Sequence, residues 1–148
     1  MAESNLTQDR ADALIRLAKY RISDKPHDFP TAGESASIAL RSQDRREEFL
    51  LDITRGKIKL EKVTFQTRTY STVILVRLDL EGPPHRNPDG EVIPCPHIHL
   101  YRQGYGDKWA VAIERSQFRD VHDLPTTCQD FMTYCNVVEP PQFEWGLF

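Results

Sequence analysis

The amino-acid sequence predicts an α+β fold, with a mainly antiparallel sheet of about five strands and an N-terminal and a C-terminal helix packed on one face of it. Three observations predict this fold. Both ends of the chain carry apolar residues at helical spacing, the middle carries them at every second position, and no helical pattern separates the strands. Strands joined without intervening helices pair antiparallel.

The N-terminal helix is predicted over residues 1–22. Leu14 and Leu17 belong to an apolar stripe at helical spacing, and Thr7 or Asn5 can cap the first turn. Basic side chains near its end suit the negative pole of the helix dipole.

The rest of the chain is predicted as a linker, the sheet and a second helix. Residues 23–35 contain two prolines and a glycine among polar residues, which indicates a linker. Residues 36–148 hold the sheet, the C-terminal helix "DLPTTCQDFMTYCNVV" and a tail, and "STVILVRLDL" is the strongest strand. A chain of 148 residues has the size of one domain, so residues 1–148 are predicted as a single domain.

Composition excludes several classes of function. The net charge of −3 argues against a protein that coats nucleic acid broadly, although a local basic groove is compatible with it. The longest apolar run, "TVILV", is far too short to span a membrane, and the polar N-terminus predicts a cytoplasmic protein. Three cysteines without a CxxC pair predict free thiols.

A set of polar side chains is predicted to share one face of the sheet. Side chains alternate across a strand, so Ile74, Val76 and Leu78 are expected in the core and their neighbours opposite. If the strands carrying "VTFQTRTY", "RLDL" and "HIHLY" are adjacent, the opposite face collects Gln66, Arg68, Arg77, Asp79, His97, His99 and Tyr101. Antiparallel sheets often expose a polar face to water, which explains any one of these residues, but two histidines together are an unusual choice for solubility alone.

Two loops can bring further groups to this face. His85 lies in "EGPPHRNPDGEVIP", where Asn87, Asp89 and Gly90 are explained as turn residues but His85 is not. The glycines of "GYGDK" would let Lys108 approach the same place.

The stretch "RLDLEGPPHRNPDGEVIPCPHIHLYRQGYGDKWA" resembles a small bacterial family of unknown function. The shared features are an Arg-x-Asp strand, a His…Asn-Pro-Asp-Gly loop and a Pro-His-x-His strand that leads to Gly-x-Gly-Asp-Lys-Trp-Ala. The layout fits from Arg45 to Asn136, and the first 40 residues are less well covered.

The chain also resembles, more distantly, the TumE-type toxins of bacterial toxin–antitoxin modules. Those proteins have an arginine- and aspartate-bearing strand, a short loop and a His-x-His strand, and here the corresponding residues are Arg77, Asp79, His97 and His99, together with His85. This chain departs from them in its longer loop and its additional N-terminal region. The resemblance implies an RNA-directed toxin of a toxin–antitoxin or defence system.

Three functions compete. The first is a ribonuclease that needs neither metal nor cofactor, with His97 and His99 as base and acid. In it Asp79 orients an imidazole and His85 or Tyr101 gives support, while the expected substrate-binding groups are Gln66, Arg68, Arg77 and Lys108. Its partner would be RNA, with an antitoxin as the protein partner.

The second hypothesis is a metal-binding hydrolase that uses His85, His97 and His99, with Asp79 as a further ligand. The third is a non-enzymatic binding or inhibitor protein of a mobile element or defence system. It would use the N-terminal helix and the tail aromatics Phe143, Trp145 and Phe148 as contacts. The sequence leaves a homodimer open.

Overall fold

The computed structural model describes residues 6–146. Within them the chain forms two helices and twelve strands, most of the strands short. The elements are α1 (Gln8–Arg16), β1 (Lys19–Arg21), β2 (His27–Asp28), β3 (Ser35–Arg41), β4 (Glu48–Arg55), β5 (Val63–Thr69), β6 (Val73–Asp79), β7 (His85–Arg86), β8 (Val92–Ile93), β9 (His97–Leu100), β10 (Ala110–Ala112), α2 (Leu124–Tyr134), β11 (Val137–Glu139) and β12 (Phe143–Glu144).

Eight strands form one sheet in the order β10-β9-β6-β5-β4-β3-β1-β11. All neighbours in it are antiparallel except β1 and β11, which run parallel. Two small sheets complete the fold: β2 pairs with β12 and β7 pairs with β8. No helix within residues 6–146 has the length and apolar character needed to cross a membrane.

The expected fold class is therefore wrong. The main sheet is mixed and has eight strands rather than about five, and the two helices of 9 and 11 residues are a minor part of the chain. The alternation pattern detected only the longer strands. Strands of two or three residues, such as β1, β2 and β11, are too short to show a period of two, so their pairing is set by long-range contacts.

The predicted helix over residues 1–22 is too long. Thr7 does cap α1, since its hydroxyl accepts a hydrogen bond from Arg10 N at 3.2 Å, but the helix ends at Arg16. Residues 1–5, which include the alternative cap Asn5, and residues 147–148, which include Phe148, lie outside the described part of the chain. The predicted linker 23–35 is also more than a linker, because it contains β2 and the buried Phe29.

Lys19 explains why the helix stops early. Its ammonium is fully buried and donates to the carbonyls of Ile15, Leu17 and Cys135 at 2.9, 3.0 and 2.7 Å. Its backbone N–H donates to Asn136 O instead of continuing the helix. Burial lowers the pKa of Lys19 to about 8.

The core lies between the helices and the apolar face of the main sheet. Ala11 and Leu14 of α1 and Phe131 of α2 join the same cluster as the strand residues Phe65 and Leu78. At the other end of the chain, Trp145 stacks on Phe29 with ring centroids 4.3 Å apart. The aromatic tail thus folds back onto the segment that precedes β3.

A bulge in β6 changes the phase of that strand. Thr67 pairs with Val76 while Arg68 pairs with Ile74, so one residue, Leu75, is left over in the register. Leu75 and Val76 are consecutive and both are fully buried, whereas Ile74 is only partly buried. The predicted alternation of buried and exposed side chains, which placed Ile74 in the core, therefore holds only from Val76 onward.

The opposite face of the sheet holds a hydrogen-bonded carboxylate at its centre. Asp52 accepts from Ser37 Oγ at 2.6 Å, from Gln66 Nε2 at 2.8 Å and from Arg68 Nε at 2.6 Å. Burial by itself would raise the pKa of Asp52, but the hydrogen bonds from Arg68, Gln66 and Ser37 outweigh it and leave the pKa below its usual value.

We predict that Asp52 makes folding stability depend on acid. Because its pKa is lower in the folded than in the unfolded chain, its contribution is present above the unfolded value and is lost as the pH falls through the folded one. Asp52→Asn should lower the free energy of unfolding by about 1–3 kcal/mol at pH 7, and this difference should shrink below about pH 4.

Urea unfolding at a series of pH values measures the effect, with Asp28→Asn at an exposed carboxylate as the control. If the difference in the free energy of unfolding between wild type and Asp52→Asn stays constant from pH 7 to pH 3, the prediction is contradicted.

Candidate functional site

The pairing of three strands assembles the site. In the register of β6 with β9, Arg77 lies opposite His99 and Asp79 lies opposite His97. In the register of β5 with β6, Thr64 lies opposite Asp79. Directly opposed residues point to the same face of an antiparallel sheet, so these five side chains converge.

One carboxylate oxygen is the centre of the cluster. Asp79 Oδ2 lies 3.1 Å from His97 Nε2 and 3.1 Å from His99 Nε2. The potential ligand atoms of the three residues all lie within 4.8 Å of one another, which makes the trio a candidate metal centre. The cluster therefore contains two imidazole nitrogens and a carboxylate oxygen that face a common point.

The two histidines are buried, contrary to the expectation of a wet sheet face. His97 is 2% exposed and His99 is 0% exposed. The loop before β10 and the β7–β8 hairpin lie against this part of the sheet and contact both rings. Strand alternation predicts which face a side chain takes, but it does not predict that loops will cover that face.

Backbone carbonyls fix the tautomer of both histidines. His97 Nδ1 lies 3.1 Å from Ile93 O, and His99 Nδ1 lies 2.8 Å from Asp107 O. A carbonyl oxygen only accepts hydrogen bonds, so each Nδ1 carries the ring hydrogen. Both Nε2 atoms then face the Asp79 carboxylate, which also only accepts, so this meeting point has to hold a positive charge, either a proton on Nε2 or a bound cation.

Arg77 holds the rim of this cluster. Its guanidinium lies 3.3 Å from Asp79 Oδ2, 2.8 Å from Asp107 Oδ2 and 3.1 Å from His99 Nε2. Burial by itself would raise the pKa of Asp79, but the hydrogen bond with His99, the charge of Arg77 and the Thr64 hydroxyl at 2.9 Å bring it well below its usual range. Asp79 is therefore an ionised carboxylate.

His85 lies at the mouth of the cluster. Its ring centroid is 4.6 Å from that of His99 and 6.0 Å from that of His97. Its Nε2 donates to the carbonyl of Lys108 at 2.7 Å, and no partner for its Nδ1 is found among residues 6–146. His85 is partly exposed, so it is the member of the histidine group that solvent and a ligand can reach.

Asn87 anchors the hairpin that carries His85. It is 4% exposed, and its amide donates to Ala110 O at 2.9 Å and accepts from Ala110 N at 2.8 Å. Since Ala110 lies opposite His99 in the register of β9 with β10, this clamp holds β7 and β8 against the site. The "NPDG" pattern explained Asn87 as a turn residue, and the structure adds this second role.

Some of the predicted site residues lie elsewhere. Tyr101 is not on the polar face, because its ring packs in the hydrophobic core. Its backbone N–H donates to the carbonyl of the bulge residue Leu75. Its hydroxyl donates to Leu6 O at 2.7 Å. Gln66 and Arg68 share the face but bind Asp52.

The loop before β10 contributes to the site in a way that sequence reasoning missed. The side chain of Lys108 is exposed, and what this residue gives the site is its carbonyl. Asp107 supplies both a carboxylate to Arg77 and a carbonyl to His99. A contact made by a backbone carbonyl does not depend on the residue type, so the sequence cannot reveal it. The only feature of this loop that could have indicated a role in the site was the acidic side chain of Asp107.

Cys95 lies beside His97 but is not arranged as a nucleophile. Its Sγ is 3.6 Å from Nδ1 and 3.9 Å from Nε2 of His97, nearly equidistant from the two nitrogens, while the Nδ1 hydrogen is directed at Ile93 O. Burial raises the pKa of Cys95, which favours the neutral thiol over the reactive thiolate.

A small cleft opens onto the cluster. It has a volume of about 210 Å³ and is lined by residues that include Lys62, Arg77, Asp79, His85 and His97. A larger groove of about 1150 Å³ runs between the helices beside Tyr101, but its lining contains no histidine or cysteine. The chemistry of the lining, rather than volume, identifies the smaller cleft as the candidate site.

The fold and the site define a small sheet protein with a buried His-His-Asp cluster. Residues 6–137 match the model of DUF6978, a family of unknown function, and the chain belongs to this family. Membership of an unknown-function family was predicted from the "PHIHL" region, and the match also extends through the N-terminal region. No curated protein and no solved structure is significantly similar to the chain.

We predict that Asn87 is needed to hold the hairpin. Asn87→Ala should lower the free energy of unfolding by about 1–3 kcal/mol, because two buried backbone groups of Ala110 lose their partner. Hydrogen exchange at the Ala110 amide should accelerate.

Chemical unfolding and amide exchange measure these effects. Asp89→Ala, at an exposed position of the same turn, is the control and should cost less than about 1 kcal/mol. Equal exchange rates at Ala110 in Asn87→Ala and Asp89→Ala would show that the amide clamp is not what holds the hairpin.

Proposed function

We propose that this protein is a metal-dependent hydrolase whose ion is bound by Asp79, His97 and His99. The observation that carries the proposal is the convergence of two imidazole nitrogens on one carboxylate oxygen. Three protein ligands with space beside them are typical of catalytic zinc sites, whereas structural zinc sites have four.

Two of the separations between ligand atoms suit such an ion. Tetrahedral ligands that bind zinc at about 2.0–2.2 Å lie about 3.3 Å from one another. The two nitrogen-to-oxygen separations are 3.1 Å, whereas the ligand atoms of the trio span up to 4.8 Å, so a bound ion would have to draw the side chains closer together. The carbonyls of Ile93 and Asp107 supply the outer contacts that hold ligating histidines in one tautomer.

The metal-free ribonuclease hypothesis is less well supported by the same geometry. An acid and a base that act on opposite sides of a scissile bond need separate positions around the substrate. Here the available nitrogens of His97 and His99 lie within 4.8 Å of each other and face the same carboxylate. The similarity to TumE-type toxins stays a prediction, as do a cytoplasmic location, an RNA or antitoxin partner and a homodimer.

The residues around the cluster divide the chemistry of hydrolysis. A bound divalent ion would lower the pKa of a coordinated water and polarise the bond to be cleaved. Asp79, His97 and His99 would hold it, and Arg77 offers a fixed positive charge to a developing oxyanion. His85, with Nε2 held by Lys108 O, can accept the proton of the attacking water on Nδ1.

We predict that the chain binds one zinc or cobalt ion. His99→Gln and Asp79→Asn should each weaken the affinity by more than about 100-fold, since even loss of an outer-shell partner costs 10- to 100-fold. Competition with a chromogenic chelator measures the affinity, and Co²⁺ absorbance reports tetrahedral coordination.

His122→Ala, at an exposed histidine, is the control. Because His97 and His99 are buried, circular dichroism should first establish that each variant is folded. Equal affinity in the wild type and in a folded His99→Gln variant would refute the proposal.

A second prediction separates proton transfer from metal binding. His85→Ala should lower kcat by roughly 10²–10⁴-fold, the usual effect of one positioned proton-transfer group, and should leave metal content unchanged. Added imidazole should restore part of the activity, because a small base can enter the space that the ring leaves.

Hydrolysis of 4-nitrophenyl ester substrates by the metal-loaded protein measures kcat. A His85→Ala variant that loses its metal together with its activity would assign His85 to metal binding instead.

A further inference from the structure

We infer that the substrate is a phosphate ester and that Lys62 binds one of its non-reacting phosphate oxygens. The inference rests on the proposed hydrolase function and adds a substrate class and a specificity-determining residue to it.

The shape of the cleft limits what can enter. A volume of about 210 Å³ accommodates a group of the size of a phosphate with part of one substituent, but not a folded chain. Its lining includes the segment Gly82, Pro83 and Pro84 as well as Asp79, His97 and His99. A substrate must therefore present its reactive group at an exposed end or on an extended chain.

The charges around the cleft favour an anion. With neutral histidines, an occupied site would combine a divalent ion with the positive charges of Arg77 and Lys62, against the carboxylates of Asp79 and Asp107. Positive charge remains in excess, which suits a phosphate ester better than a neutral ester or amide.

The carboxylate at the mouth does not cancel this excess. Glu81 also lines the cleft, but it forms an ion pair with Lys59 at 3.0 Å.

Lys62 is placed to meet that anion. Its side chain lies along Gly82, with Cε 3.6 Å from the position that a Cβ at residue 82 would occupy. Lys62 lines the same cleft as Cys95 and His97, so it lies beside the cluster. Lys62 is exposed, and its ammonium has no hydrogen-bond or ion-pair partner among residues 6–146.

Hydrolysis can then be written with all atoms accounted for. A water oxygen forms a bond to phosphorus and the bond from phosphorus to the leaving oxygen breaks. His85 takes one proton from the attacking water and the leaving oxygen takes a proton from solvent, so an alcohol and a phosphate with one fewer ester bond are released. Lys62 and Arg77 neutralise the oxygens that do not react.

The test compares Lys62→Met with Lys57→Met, an exposed lysine that does not line the cleft. The zinc-loaded proteins are assayed with bis(4-nitrophenyl) phosphate and with 4-nitrophenyl acetate. Lys62→Met should raise KM for the phosphodiester by about 10-fold, the effect of one charge-assisted hydrogen bond, without changing hydrolysis of the acetate. Lys57→Met should match the wild type with both.

Binding of inorganic phosphate, followed by calorimetry on the zinc-loaded protein, gives a readout that does not need turnover. Weaker phosphate binding in Lys62→Met than in Lys57→Met supports the inference. Phosphate binding that is equal in the two variants, or absent from the wild type, overturns it.

The two levels of the proposal fail in different ways. If the protein binds zinc and cleaves the acetate but not the phosphodiester, the hydrolase proposal stands and the phosphate inference is wrong. If it binds no metal and cleaves neither substrate, the hydrolase proposal fails, and with it the substrate assignment that rests on it.

Discussion

The pairing of β6 with β9 is the constraint on which the site depends. It sets Asp79 opposite His97 and Arg77 opposite His99, and it would do neither if the register slipped by one residue. The apolar partners on the reverse face, Leu78 and Ile98, are both buried, so the core fixes the register that the site uses. The same two strands thus form part of the core with one face and the candidate site with the other.

The rest of the site comes from segments that hold the strand residues in place. Ile93 in the β7–β8 hairpin and Asp107 in the loop before β10 each provide a carbonyl to one histidine. His85 comes from the same hairpin, which Asn87 anchors to β10. The arrangement separates two tasks: the sheet provides the groups that face the candidate ion, and the covering loops orient those groups and carry the one exposed imidazole.

The sequence predicted the central part of this arrangement and missed its surroundings for identifiable reasons. Alternation in the longer strands was sufficient to place Arg77, Asp79 and both histidines on one face. It failed for Tyr101, because the bulge at Leu75 is a property of the pairing and not of either strand alone. It also could not detect short strands such as β1, β2 and β11, or contacts made by backbone carbonyls, since neither depends on a recognisable pattern of side chains.

The burial of Lys19 has a consequence for how the molecule can be divided. Its ammonium donates hydrogen bonds to carbonyls at the end of α1 and to that of Cys135, at the end of α2. One cation therefore links segments near the two ends of the sequence. Residues 6–22 are therefore not an appendage to a sheet domain. Shortening the protein to its sheet and C-terminal helix would leave Cys135 O without this donor and remove β1, through which β11 joins the sheet. Relatives or engineered versions that begin after this segment would need another way to cap α2.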